Sequence, residues 1–232
     1  MGLFGDRRVL LEKLGAADRQ ALVGLGVRRS YEAGATLIAE GDTSTFVVVV
    51  LSGWCAVQRS TDRGPLILAL RQGGELVGEM AALDGRPRSA SVTALGPVTS
   101  AVVPGERFRH FLAARPYATG LVMSQLIERL RSADDERRAL ASATVLQRLA
   151  ARLVELADRT GRREGGGSVA IRLPLSQSDL AAAVGATREA VAKALRLLRE
   201  EGLVATAPKS ITIADLEPLR LLGGGPDGAK GG

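Results

Sequence analysis

A chain of 232 residues, 46% of them hydrophobic, suits one large or two ordinary domains with real cores. Its net charge of +6 fits a polyanionic partner, but the 13 Lys/Arg against 10 Asp/Glu from Ala143 onward show no concentration in either half. The single cysteine, Cys55, excludes an internal disulfide and any site built from several thiolates, and no segment approaches the roughly 20 apolar residues that span a bilayer.

The N-terminus is charged too early for a secretory h-region, so a soluble, cytoplasmic protein without a membrane partner is expected. Val9 to Leu25 reads as one or two amphipathic helices, with Leu10, Leu11 and Leu14 on one face and Ala21, Leu22 and Leu25 on another. From Glu32 the pattern changes to short β-rich runs: ATLIAE, FVVVVL, GWCAVQ, PLILAL, SASVTA and PVTSAVVP. Turn residues punctuate them at Gly34, Gly41-Asp42, Ser52-Gly53, Asp62 to Pro65, Gly73-Gly74, Gly85 and Gly96-Pro97. That rhythm predicts an antiparallel sandwich or jelly roll.

One connection in this roll gathers glycines, a carboxylate, an arginine and a hydroxyl: Gly74 to Met80, then Asp84 to Ala90. Backbone N–H groups with Arg88 and Ser89 suit a phosphate, and Glu79 suits a sugar hydroxyl. The same spacing fits a structural Glu79–Arg88 salt bridge in an ordinary loop.

Glu106 to Leu112 is a short helix, and Ala118 to Ala141 a long one. The apolar first half of the long helix, Leu121 to Leu130, is wide enough to face both a roll and a second chain. Ala143 to Arg159 is a further helix with Val145, Leu149, Leu153 and Leu156 inward. Gly161 to Gly167 reads as a hairpin tip, and Gly202 to Ala205 with Ser210 to Ile213 bracket a Pro208-Lys209 turn as a two-stranded wing. The tail from Gly223 has no apolar anchor and is expected to be disordered.

Leu175 to Leu198 is two helices about a tight turn. Ser176 caps the first, with Asp179 three residues on; Gly185 takes the left-handed position after it. Thr187 caps the second, whose Val191, Leu195 and Leu198 point inward and leave Arg188, Glu189 and Lys193 outward. A helix-turn-helix is written this way, and those three side chains suit guanine, cytosine and a guanine or phosphate. The bland alternative is a solvated Glu189–Lys193 pair.

An N-terminal roll with GE…RS, a long helix, and a winged helix-turn-helix with an RE pair together resemble the cAMP receptor protein/FNR superfamily of bacterial transcription regulators, from about Arg7 to Leu216. The resemblance implies an α+β fold: a double-stranded β-roll of the cyclic-nucleotide-binding type over 1–117, a dimerisation helix over 118–142 and a winged helix-turn-helix over 143–222, leaving 223–232 as tail. It places the ribose hydroxyl on Gly78 and Glu79, backbone contact at Met80, and the cyclic phosphate on Arg88 and Ser89. Arg129 matches an arginine that approaches the Glu79 end of the pocket. Ser176, Gln177, Thr187, Arg188, Glu189 and Lys193 fall among the DNA contacts, with Lys193 standing where the type member has a bidentate Arg.

Ala133 and Asp134 depart from the Thr–Ser pair that reads adenine in such proteins. Asp134 either meets the base or, in the run Asp134-Asp135-Glu136-Arg137-Arg138, serves a solvated face or cross-dimer salt bridges. The expectation is a homodimer on palindromic double-stranded DNA, controlled by cAMP or another cyclic nucleotide, with no metal or covalent cofactor and with RNA polymerase as a further partner. A first rival is a regulator of the same fold that needs no nucleotide or takes a different small effector. A second is an enzyme, opposed by the lack of a catalytic dyad: His110 is the only histidine, and it reads as a surface residue outside the roll.

Overall fold

The computed structural model describes residues 3–4, 8–62, 64–172, 175–207 and 210–224, without the side chains of residues 135–140 and 166. The expected Pro208-Lys209 turn, the tail from residue 225 and the charged side chains after Asp134 lie outside the described residues. Two compact units emerge, the first within residues 4–61 and 68–132, the second built mainly from residue 133 onward.

The first unit opens with helices α1 (Leu10–Lys13) and α2 (Ala16–Gly24) and continues into the roll. Its strands are β1 (Val27–Tyr31), β2 (Thr36–Ile38), β3 (Val47–Ser52), β4 (Trp54–Thr61), β5 (Gly64–Gln72), β6 (Leu76–Val77), β7 (Ser91–Ala94) and β8 (Val98–Val103). They form two four-stranded sheets, in the orders β1-β8-β3-β6 and β2-β7-β4-β5. The run Val47 to Val50 is fully buried because its two faces serve two cores. Val48 and Val50 meet Leu37, Cys55, Val77, Val92 and Val98 between the sheets. Val47 and Val49 pack the other way, on Leu10, Leu14, Leu22, Phe108 and Val122.

Three elements of this unit are additions to the sequence reading. β1 is almost wholly exposed, so no apolar alternation announces it; its pairing with β8, Val27↔Val102 through Tyr31↔Val98, makes it a strand. β6 has two residues. Helix α3 (Glu79–Asp84) fills what reads as an irregular connection, because left-handed glycines bound it on both sides: Gly78 at φ 82 and Gly85 at φ 69. Helices α4 (Gly105–Ala113) and α5 (Pro116–Ser142) follow close to their expected places. His110 is exposed on α4.

In the second unit α6 (Val145–Thr160) starts with a capping box, Thr144 and Gln147 each bonding the other's backbone N–H. Leu149, Leu153 and Leu156 form its buried stripe. The glycine-rich stretch after it is not simply a hairpin tip: β9 (Gly161–Arg163) pairs with β10 (Val169–Ile171), and a single 3₁₀ turn, Gly165–Gly167, joins them. The wing strands β11 (Val204–Ala207) and β12 (Ser210–Ile213) complete a sheet of order β11-β12-β10-β9. A last helix, α9 (Leu216–Leu222), packs on α6 with Leu219 fully buried. Pro218 breaks its pattern in sequence, but in the first turn a proline removes no helical bond.

Candidate functional site

Two sites take shape, one in each unit. In the roll, Gly78 holds a left-handed turn at the head of α3. A Cβ there would come within 2.7 Å of both Arg88 Nη1 and Ile38 Cδ1, so the close approach itself requires glycine. Immediately after it, Glu79 is 1% exposed. One of its carboxylate oxygens accepts from Arg129 Nη1 of α5, while Oε2 is buried without a hydrogen-bond partner. Arg129 Nη2 also donates to Leu76 O at 3.0 Å. The sequence alternative of a Glu79–Arg88 salt bridge is thus not what forms; the glutamate pairs with α5 instead.

Arg88 is only 4% exposed, and its guanidinium is held by the roll. Nη1 donates to Gly78 O at 2.8 Å and Nη2 to Phe46 O at 2.7 Å, while Nε and Nη2 reach Ser44 Oγ at 3.3 and 3.2 Å. The Phe46 ring lies 4.6 Å from the guanidinium carbon, a cation–π stack. Ser44 in turn donates to Asp42 Oδ2 at 3.1 Å. Burial lowers the Arg88 pKa from the ordinary arginine value, and the Asp42 and Glu79 charges offset only part of that; an arginine stays charged throughout. Ser89 and Met80 stand exposed beside these groups, Met80 at 47%.

Sequence reasoning missed Asp42, Ser44 and Phe46. Their only signal was a turn at Gly41-Asp42, far from Arg88 along the chain. Backbone bonds close that distance: Arg88 N donates to Asp42 O at 2.8 Å and Gly41 N to Arg88 O at 2.9 Å. Ala133 and Asp134 lie further along α5, both exposed, in the stretch that belongs to the second unit. Cys55 sits between the sheets, where burial, aided by the Glu75 charge, pushes its thiol up to about 12, so it is protonated and inert near neutral pH.

In the second unit α7 (Gln177–Val184) and α8 (Arg188–Glu200) make the helix-turn-helix. Ser176 and Asp179 form a capping box, the Ser176 hydroxyl donating to Asp179 Oδ2 at 2.7 Å and accepting from Asp179 N at 3.1 Å. Gly185 ends α7 at φ 66, ψ 44, and Thr187 Oγ1 accepts from Ala190 N at 3.2 Å to start α8. Leu180, Ala183, Val184, Val191, Leu195 and Leu198 are buried, as their spacing predicts. Gln177, Arg188, Glu189 and Lys193 are exposed, and so is Arg196, one further turn along the same face, which the sequence reading passed over.

Glu189's own backbone N–H and the Thr187 hydroxyl hold its carboxyl below the usual range, which keeps it an ionised acceptor. At the other end of α8, Arg199 Nη1 donates to Thr206 Oγ1 at 3.2 Å and braces the helix on β11.

Two family models match this sequence: a cyclic nucleotide-binding domain over residues 28–115 and a Crp-like helix-turn-helix domain over residues 147–222. A CRP-like cAMP-activated global transcriptional regulator of Mycobacterium tuberculosis is 30% identical over 190 residues, 82% of this chain and 84% of that protein. The cyclic AMP receptor protein of Thermus thermophilus is 31% identical over 81% of this chain and 84% of its own length. Among solved structures, a CooA mutant from Carboxydothermus hydrogenoformans shares the fold with a TM-score of 0.80 at 20% identity, over 95% of this chain and 98% of that one. The first of these is named as a regulator of transcription, a non-enzymatic role. Among the described residues no helix is long and apolar enough to cross a membrane. With a cyclic nucleotide-binding domain ahead of a DNA-binding helix-turn-helix, the chain belongs to the cAMP receptor protein/FNR family of transcription regulators.

Proposed function

We propose that this regulator is a homodimer whose roll takes a cyclic nucleotide, cAMP foremost, and whose paired recognition helices read a palindromic operator. The observation that carries the nucleotide reading is Glu79 Oε2, a buried acceptor with no partner. Leaving such a group unmade costs about 1–3 kcal/mol, and a ribose hydroxyl would satisfy it. Gly78 opens the approach, Met80 lies at the rim, and Arg88 with Ser89 takes the cyclic phosphate. Arg129 pairs with the glutamate from the α5 side. The names of the relatives, cAMP-activated and cyclic AMP receptor, support cAMP. By the family resemblance Asp134 falls at a base-reading position, so cGMP is the necessary comparison.

The dimer reading rests on α5. Met123, Ile127 and Leu130 are 58%, 49% and 65% exposed and recur at the spacing of a coiled-coil seam. In this reading 1–117 is the effector domain, 118–142 the dimerisation helix and 143–222 the DNA-binding domain, with RNA polymerase a further partner.

A second reading, regulation without a nucleotide, is favoured by one observation: Ser44, Gly78 and Phe46 already engage Arg88. Titration calorimetry of the whole protein with cAMP and cGMP decides between them. Saturable heat with either supports the nucleotide reading, and none with both overturns it in favour of the second.

A further inference from the structure

The last turn of α7 leaves carbonyls that the helix itself cannot satisfy. The backbone cap takes two of them: Gly185 N donates to Ala182 O at 3.4 Å and Ala186 N to Ala181 O at 3.1 Å. Two arginines of α6 take the next three. Arg152, 2% exposed, donates from Nε to Ala183 O at 3.1 Å. Arg148 donates from Nε to Val184 O at 2.9 Å and from Nη2 to Gly185 O at 3.3 Å. Its remaining nitrogen, Nη1, donates to Ala143 O at 2.6 Å.

Ala143 lies between the end of α5 at Ser142 and Thr144, the cap of α6. One planar guanidinium therefore fixes three carbonyls from two distant stretches: the α5–α6 junction and the turn of the helix-turn-helix. Satisfying those carbonyls does not by itself call for arginine, since water does the same at a surface. What the arginine adds is a rigid angle between the two stretches, which a single-point ammonium does not supply. Gly185 is followed by Ala186, Thr187 and then Arg188, so a shift of its carbonyl is passed directly to the base-facing end of α8.

We propose that Arg148, backed by Arg152, is a positioning residue for DNA reading: it locks the α5–α6 junction to the recognition turn, so that movement of the junction aims the recognition helix. The inference rests on the proposed base-reading role of Arg188, Glu189 and Lys193.

The test first selects duplexes from a random library with the wild-type protein. Affinities for a selected and an unselected duplex are then measured for wild type, Arg148→Met, Arg148→Lys and Leu219→Ala. The last truncates a fully buried side chain of α9, which packs on α6, and lies outside both the junction and the turn, a control for lost stability. Both Arg148 variants are expected to lose about tenfold or more in the ratio of selected to unselected affinity, the worth of one well-placed base contact. Their affinity for unselected DNA and the ratio for Leu219→Ala should hold. An unchanged ratio in Arg148→Met, an equal loss in Leu219→Ala or full rescue by Arg148→Lys overturns the inference alone. Failure of the wild type to enrich any sequence overturns the base-reading role beneath it.

Discussion

At the scale of single residues, the two charged groups of the roll have opposite conditions. Glu79 has an oxygen to spare, whereas Arg88 has almost every donor committed. The sequence places Arg88 in a connection of the roll, where with Ser89 it suits a phosphate. Its burial adds a consequence for stability, because truncation orphans the carbonyls of Gly78 and Phe46. Arg88→Ala is expected to weaken cyclic-nucleotide binding at least about tenfold to a hundredfold, the worth of one charge-assisted hydrogen bond. It should also lower the free energy of unfolding by about 1–3 kcal/mol. Calorimetry reads the first and urea denaturation the second; unchanged nucleotide affinity would remove Arg88 from the phosphate site.

At the scale of elements, the helix-turn-helix was legible almost residue by residue, and the roll connection was not. Ser176, Gly185 and Thr187 act on neighbours within three residues, so their roles follow from spacing. Ser44 meets Arg88 across 44 positions, and no local rule relates them. The recognition helix offers a direct check. Glu189→Ala should relax preference at one base pair by about 1–3 kcal/mol while leaving phosphate-driven affinity nearly intact. Binding-site selection with both proteins reads this out, and identical selected sequences would return Glu189 to the solvated face.

At the scale of the whole molecule, the proposed palindromic operator calls for a second copy, because paired half-sites about 34 Å apart need two recognition helices. The exposed seam on α5 is where that copy is expected. Leu130→Glu places a charge at a 65%-exposed apolar position of that seam. Losing about 1.5–3 kcal/mol of burial from each protomer should weaken the dimer on the order of a hundredfold or more. Light scattering across a dilution series measures it. A dimer as tight as wild type would move the interface elsewhere.

What the sequence determined alone was whatever short-range rules govern: periodicity of the long helices, caps and left-handed glycines, and the order of roll, helix and helix-turn-helix. A resemblance in that order was enough to point to the family. Tertiary structure decided what depends on partners far along the chain. It turned the polar stretch Val27–Tyr31 into a strand through backbone pairing with β8. It gave Glu79 to Arg129 rather than to Arg88, because α5 brings a guanidinium to the head of α3. It buried Arg88 against the Asp42–Phe46 loop, and it bound Arg148 to two stretches of backbone on either side of α6. The physical reason is common to all four. Side-chain chemistry is written in the sequence, but the acceptor that claims a given donor is set by which distant backbone the fold brings within 3 Å or so.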